Sequence, residues 1–200
     1  MDTKKVLVSN ALAAGTSYKE YREVVSTHVT SKTTTGPNQT DALINYTKLN
    51  HARMNRLDKT TKISETHQAF FSNYQRKVTW LVLTESWCGD AAQSLPVLNK
   101  IALLVPHLTL KIALRDQHKQ LMEYFLTNDT MAIPKLISVD ETNGDVIGQW
   151  GPRPSYASQM VAAYKAANGC LSPEFKKDLQ IWYTKDKGQN IIEDIRRVFI

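Results

Sequence analysis

Hydrophobic positions follow two different rhythms along this chain, and the change comes near residue 78. Through residues 1–77 the apolar side chains recur at helical spacing. Ser17-Tyr18-Lys19-Glu20 has the form of a capping box, and Tyr18, Tyr21, Val25 and His28 follow it three or four residues apart. Lys32 to Thr40, with Gly36-Pro37 at its centre, reads as a loop. Asp41 is placed to cap the next helix, which carries Leu43, Tyr46, Leu49, Met54 and Leu57. A third helix is predicted from about Ser64 to about Tyr74.

From Val78 onward, strand and helix patterns alternate. Val78-Thr79-Trp80-Leu81-Val82-Leu83 is a β-rich apolar run of the length of a buried strand. Leu95, Leu98, Ala102 and Val105 then share a helical face. Leu108 to Leu114 alternates as a strand, and Leu121, Met122 and Phe125 mark a short helix. Leu136–Val139 and Val146–Trp150 flank Glu141-Thr142-Asn143-Gly144-Asp145 as a β-hairpin. Ala157, Met160, Val161 and Tyr164 form a helix ending at Gly169. The order is β-α-β-α-β-β-α, an α/β arrangement around a central mixed sheet. Phe175, Leu179 and Trp182, then Ile192, Ile195 and Phe199, predict two closing helices. Three segments result: a helical extension over 1–77 packed on the core, an α/β domain over 78–169, and a helical segment over 170–200.

Composition narrows the class without naming it. The 200 residues are 42% hydrophobic and 22% charged, as in an ordinary globular protein. No run approaches the roughly 20 apolar residues that span a bilayer. The amino-terminal apolar patch, Val6-Leu7-Val8, is too short for a signal-peptide core. Two cysteines 82 positions apart do not make a secreted disulfide framework, so a reducing cytoplasm is expected. Residues 1–77 hold 12 Lys/Arg against 6 Asp/Glu, and residues 78–200 hold 13 of each, so the whole net charge of +6 lies in the extension. No nucleic-acid motif accompanies it, and a solvated helical face is the expected reading. The five histidines lack metal-ligand spacing, and neither a phosphate-binding glycine loop nor a Gly-X-Ser-X-Gly elbow is present.

The chemistry concentrates at Trp87-Cys88-Gly89-Asp90, between the first strand and a helix. That segment, the β-α-β-α-β-β-α order, Pro96 eight residues after the cysteine, and Ile133-Pro134 before the hairpin together resemble the thioredoxin-like superfamily. With Gly151-Pro152-Arg153-Pro154, and with Tyr46-Thr47-Lys48-Leu49-Asn50 and Arg56-Leu57-Asp58-Lys59-Thr60 in the extension, the chain is similar to a bacterial group of thioredoxin-like proteins with a helical amino-terminal extension. The resemblance implies a thioredoxin fold, a cis Pro134 beside the cysteine, and a role in cell redox homeostasis as an oxidoreductase. Two departures matter. Ala91 stands where thioredoxins have their resolving cysteine, and Val82 stands where they keep a buried carboxylate. Both remove machinery for the second step of dithiol exchange.

Cys88 is therefore the candidate nucleophile. A helix start stabilises an anion, which predicts a thiol more acidic than usual. Gly89 keeps the sulfur approachable, and Trp87 forms an apolar shelf. Asp90 suits the first helical turn as a cap, while its charge opposes the thiolate; a proton relay to a leaving thiol is its other reading. Arg115 and Arg153, at the ends of strands, are expected to face the same crevice and grip a carboxylate. Glu85 is read as a buried partner for one arginine. Ile133 and Pro134 would receive a peptide as an added strand. Cys170 is read as structural, about 20 Å away at the far end of a helix of roughly 13 residues.

The expected function is thiol redox activity through a single cysteine, with mixed disulfides resolved by an external thiol such as glutathione. Self-contained dithiol exchange is not expected, and no cofactor or metal is. Expected partners are protein or small-molecule disulfides and thiols, with no membrane or nucleic acid. Oxidation of Cys88 as a peroxide sensor is a variant. The alternative from another class is a non-catalytic peptide- or protein-binding module. A buried or ordinary thiol would favour that alternative.

Overall fold

The computed structural model describes residues 2–198, which leaves Phe199, assigned above to the last helix, outside the described residues. Four strands form one sheet: β1 (Val78–Thr84), β2 (Leu108–Leu114), β3 (Lys135–Asp140) and β4 (Val146–Trp150), in the order β2-β1-β3-β4. β1 runs parallel to β2 and antiparallel to β3, and β3 pairs with β4 as a hairpin. This is the thioredoxin topology, built on a mixed α/β sheet.

β1 is central, and Trp80, Leu81, Val82 and Leu83 are all fully buried. A strand covered on both faces has no polar face to show, which is why its sequence is a continuous apolar run. Helix α5 (Gly89–Ala102) starts directly after β1 and buries Leu95, Val97, Leu98 and Ile101 under the sheet. Pro96 lies inside it. Val105, expected on the same face, lies beyond the helix end and is nevertheless buried. After β2, a 3₁₀ turn (Arg115–Gln117), α6 (Lys119–Met122) and a second 3₁₀ turn (Glu123–Phe125) bury Leu121, Met122 and Phe125.

The extension contributes α1 (Thr3–Ala14), α2 (Tyr18–Ser31), α3 (Asp41–Thr60) and α4 (Glu65–Ser72). The Ser17–Glu20 capping box is complete in both directions. Val8, Ala11, Tyr18, Tyr21, Val25, Met54 and Phe71 join the same hydrophobic cluster as the sheet. Thr16 adds a backbone bridge to Ile112 of β2, with a 2.9 Å and a 2.8 Å hydrogen bond.

Helix α3 differs from its predicted face. Thr40, not Asp41, is its cap. Tyr46 and Leu49 are exposed, while Thr47 and Asn50 are fully buried beside Met54 and Leu57. The apolar period misleads here because α3 docks on the polar backbone after β1, where hydroxyl and amide groups satisfy buried hydrogen bonds.

Helix α7 (Ser155–Asn168) follows β4 and ends at Gly169. It pairs with α8 (Pro173–Asp186) in a second, smaller cluster of Ala157, Val161, Phe175, Leu179 and Tyr183. Tyr183, rather than the predicted Trp182, is the buried aromatic of α8. Helix α9 (Gln189–Val198) sends Asp194 to accept from the Ser155 backbone at 2.6 Å and its hydroxyl at 2.7 Å. This carboxylate caps α7 from a distance, since Pro154 offers no side-chain cap, and so anchors the loop bearing Arg153. No described helix is long and apolar enough to cross a membrane.

Candidate active site at the start of helix α5

Cys88 is the N-cap of α5, and no side chain caps that helix end. The backbone N–H groups of Ala91 and Asp90 at this helix start favour the thiolate form of its sulfur. The thiol donates a hydrogen bond to the Ile133 carbonyl at 3.2 Å, immediately before cis Pro134. A second cis bond, Gly151–Pro152, lies on the neighbouring loop. Cys88 is only 8% exposed.

Burial pushes the Cys88 thiol up to about 12, and the Asp90 charge adds to the rise. The helix N–H groups and Arg153 pull the other way and do not prevail. The expectation of an acidic thiol is thereby corrected. A helix start favours the thiolate, but desolvation of a sulfur walled in by Ile133 and the core outweighs it.

Asp90 does not cap α5. Its carboxylate, 12% exposed, receives Arg153 Nη2 at 2.8 Å and the Tyr183 hydroxyl at 3.0 Å. Burial raises its pKa, and Arg153, Tyr183 and Arg53 oppose the rise. Tyr183 itself is held well above its ordinary value by burial and by Asp90. The sulfur, carboxylate, guanidinium and phenol thus form one linked group whose charges set one another.

Arg115 also reaches the crevice but is engaged elsewhere. It pairs with Asp116 Oδ1 at 2.8 Å and lies 5.0 Å above the Trp87 ring. Glu85 is fully buried, yet no arginine lies within 4.0 Å of it among the described residues, correcting the predicted ion pair. It accepts from the Asp116 backbone N–H at 2.9 Å, and burial raises its pKa.

The active-site loop is held from the extension. Ser86 Oγ lies 3.0 Å from Thr34 Oγ1 and 2.9 Å from Thr47 Oγ1, and it accepts from the Thr35 backbone N–H at 3.1 Å. Ser86 N–H donates to Thr35 Oγ1 at 2.8 Å, and Asn50 donates to the Ser86 carbonyl at 2.9 Å. The predicted Lys32–Thr40 loop is therefore folded inward, with Thr34 and Thr35 buried. Below it Tyr21 of α2 is buried in the same core, which pushes its phenol pKa up. Ser86→Ala strands several buried hydroxyl and amide groups at once. It is expected to cost about 1–3 kcal/mol, read as a lower urea midpoint at unchanged slope. An unchanged midpoint would show that the network carries no stability.

Trp87, Cys88, Ile133, Arg115 and Arg153 line an open cleft of about 450 Å³. Of the predicted site residues, Trp87, Cys88, Gly89, Asp90, Arg115, Ile133 and Arg153 share this cleft, and Pro134 adjoins it through Ile133. Among the described residues no three His, Cys, Asp or Glu side chains gather as a metal site. Cys170 is free and exposed in the turn after α7, so the reading of it as structural does not stand. It packs into neither hydrophobic cluster, because α7 has already ended at Gly169.

A family model described as Thioredoxin matches residues 36–165. The chain belongs to the thioredoxin family. No curated protein matches it. Two solved structures share its fold. One is a protein of unknown function from Pseudomonas aeruginosa, 16% identical over 95% of each chain, with a TM-score of 0.64. The other is an HIV epitope-scaffold, 17% identical over 92% of this chain and 97% of that one, with a TM-score of 0.57.

In this thioredoxin-family site Ala91 is 1% exposed and Val82 fully buried, so apolar packing fills both departures. The buried carboxylate beside the sulfur is instead Asp90, eight residues further along the chain. Tyr183 and Arg53 complete its surroundings, and neither is marked by the sequence pattern. Tyr183 lies 93 positions from Asp90, in a helix where Trp182 offers the stronger apolar signal.

Proposed function

We propose that this thioredoxin-family chain carries out thiol–disulfide exchange through Cys88 alone, in a reducing compartment. The observation behind it is the sulfur at the start of α5, bonded to the carbonyl before cis Pro134 in an open cleft. Cys88 thiolate attacks one sulfur of a partner disulfide. A Cys88–partner bond forms, the partner's own S–S bond breaks, and the leaving sulfur takes a proton. Loss of the Cys88 thiol proton frees the Ile133 carbonyl to accept from the docked chain.

With Ala91 in place of a resolving cysteine, a low-molecular-weight thiol must finish the cycle. It attacks the Cys88 sulfur, releases the partner as a thiol and stays bound to Cys88. A second equivalent attacks the bound thiol's sulfur, leaves as the symmetrical disulfide and returns Cys88. One partner disulfide and two thiols yield one partner dithiol and one small disulfide.

The raised thiol pKa makes the resting protein slow, since little thiolate exists at neutral pH. Exchange is expected to rise about tenfold per pH unit between about pH 7 and about pH 9.5 without a plateau. It also argues against a peroxide sensor, which needs a thiolate at rest. The same burial favours a second reading, a binding cleft whose cysteine is unused. Cys88→Ser in a Cys170→Ser background separates the two. Partners trapped as mixed disulfides by the Cys170→Ser chain, which keeps Cys88, support exchange, and their absence there overturns it. Undiminished partner capture in full reductant would replace it with the binding module.

A further inference from the structure

Beside the cysteine's cleft, on the far side of Gly89 and Asp90, lies a second pocket of about 420 Å³ between α3 and α8. Arg53 of α3 and Lys176 and Lys177 of α8 line it, and Arg153 and Tyr46 border both hollows. Four cations, two of them the exposed Lys176 and Lys177, thus line the pocket with one carboxylate, Asp90, which already holds Arg153 and Tyr183. Half-buried Arg53 donates to Asn50 Oδ1 at 2.9 Å, and among the described residues no carboxylate lies within 4.0 Å of it. The Nε of Arg153 is buried without a hydrogen-bond partner. A guanidinium taken out of water without an anion is costly, and a carboxylate is the group whose geometry satisfies it.

We propose that this pocket binds the carboxylate end of the low-molecular-weight thiol that resolves Cys88, with Arg53, Lys176 and Lys177 as its anion contacts. The proposal rests on the exchange function above and names the class of its second substrate. The volume suits a molecule of peptide-fragment size rather than a folded partner. Gly89 lines both hollows. A Cβ there would lie 3.4 Å from Arg53 Nη1 and 3.8 Å from Gln180 Nε2, so the backbone at Gly89 sits directly beside the proposed anion contact. The arrangement also gives a role to α8, which lies beyond the matched residues 36–165 and supplies two of the four cations.

The test uses the full chain with Cys170→Ser and two disulfide probes of opposite charge, glutathione disulfide and cystamine. Arg53→Ala/Lys176→Ala/Lys177→Ala is expected to lower the ratio of glutathione disulfide exchange to cystamine exchange about tenfold, and added salt to lower it in the unsubstituted protein. Arg53→Lys with both lysines intact retains most of the ratio. A ratio unmoved by the triple substitution overturns the pocket assignment while leaving exchange intact. If neither probe reacts, the exchange reading falls, and the pocket is judged by calorimetry of S-methylglutathione with the Cys88→Ser protein. Binding lost on triple substitution supports it, and no binding overturns it.

Discussion

Asp90→Asn is expected to make Cys88 react faster, not slower. The thiol is pushed up to about 12 first by burial and then by the Asp90 charge, while Arg153 pulls it down. The substitution removes the opposing charge and releases Arg153 from its 2.8 Å ion pair, so both changes favour the thiolate. The alkylation midpoint should fall by about 1–3 units, with a tenfold gain at neutral pH for each unit. Iodoacetamide rates against pH, in a Cys170→Ser background, read it directly. An unchanged midpoint would mean that burial alone sets the thiol and that Asp90 takes no part in its proton balance. The stability linkage has a definite sign. Folded Cys88 ionises above its unfolded value of about 8.5, so its contribution is complete below that pH. It drains away as pH climbs toward about 12, and Asp90→Asn should narrow that window.

Gly151→Ala is expected to be the most damaging single methyl in the site. Gly151 has φ +108°, and a Cβ there would come 2.2 Å from the Pro134 carbonyl oxygen and 3.2 Å from its carbon. Backbone atoms, not a flexible side chain, stand in the way. The strained conformation and the overlap together should cost about 2–4 kcal/mol. Pro134 would be displaced, and with it the Ile133 carbonyl that receives the Cys88 thiol. Gly144→Ala is the control. Its φ of +72° carries the conformational penalty, yet nothing lies within 4 Å of the added Cβ. Its cost should stay near about 1 kcal/mol. Urea midpoints of the two variants compare them, and equal losses would show that the Pro134 contact is not what Gly151 protects.

Asp90 is two residues from Cys88, but the Arg153 that holds it and the Pro134 carbonyl that faces Gly151 come from other segments, and that divides what the sequence shows from what it hides. The strand β2 coincides with its alternating run from Leu108 to Leu114, because the side-chain period of two is a local property of extended backbone. The capping box at Ser17 is equally local, closing within four residues. The face of α3 is hidden because its partner is not local. Thr47 and Asn50 are polar in any window of the sequence, and only Ser86, 39 and 36 positions away, makes them core residues.

The candidate site divides along the same line. The motif Trp87-Cys88-Gly89-Asp90, the proline at 134 and the arginines at 115 and 153 were all legible, because each sits at a strand end or helix start that the pattern marks. Their pairings were not. Arg153 rather than Arg115 takes Asp90, Arg115 lies over Trp87, and Glu85 binds a backbone N–H instead of an arginine. Which of two nearby cations meets a carboxylate depends on loop paths fixed by distant groups, such as Asp194 anchoring the turn before α7.

By itself, then, the amino-acid sequence determined the thioredoxin topology, the place of the cysteine and the absence of a resolving partner at Ala91. Tertiary structure alone decided the state of that cysteine. A helix start is a local feature and favours a thiolate, but desolvation is a property of everything that packs around the sulfur. Ile133 and Asp90 close over it, with Tyr183 behind Asp90, and their sum reverses the local preference.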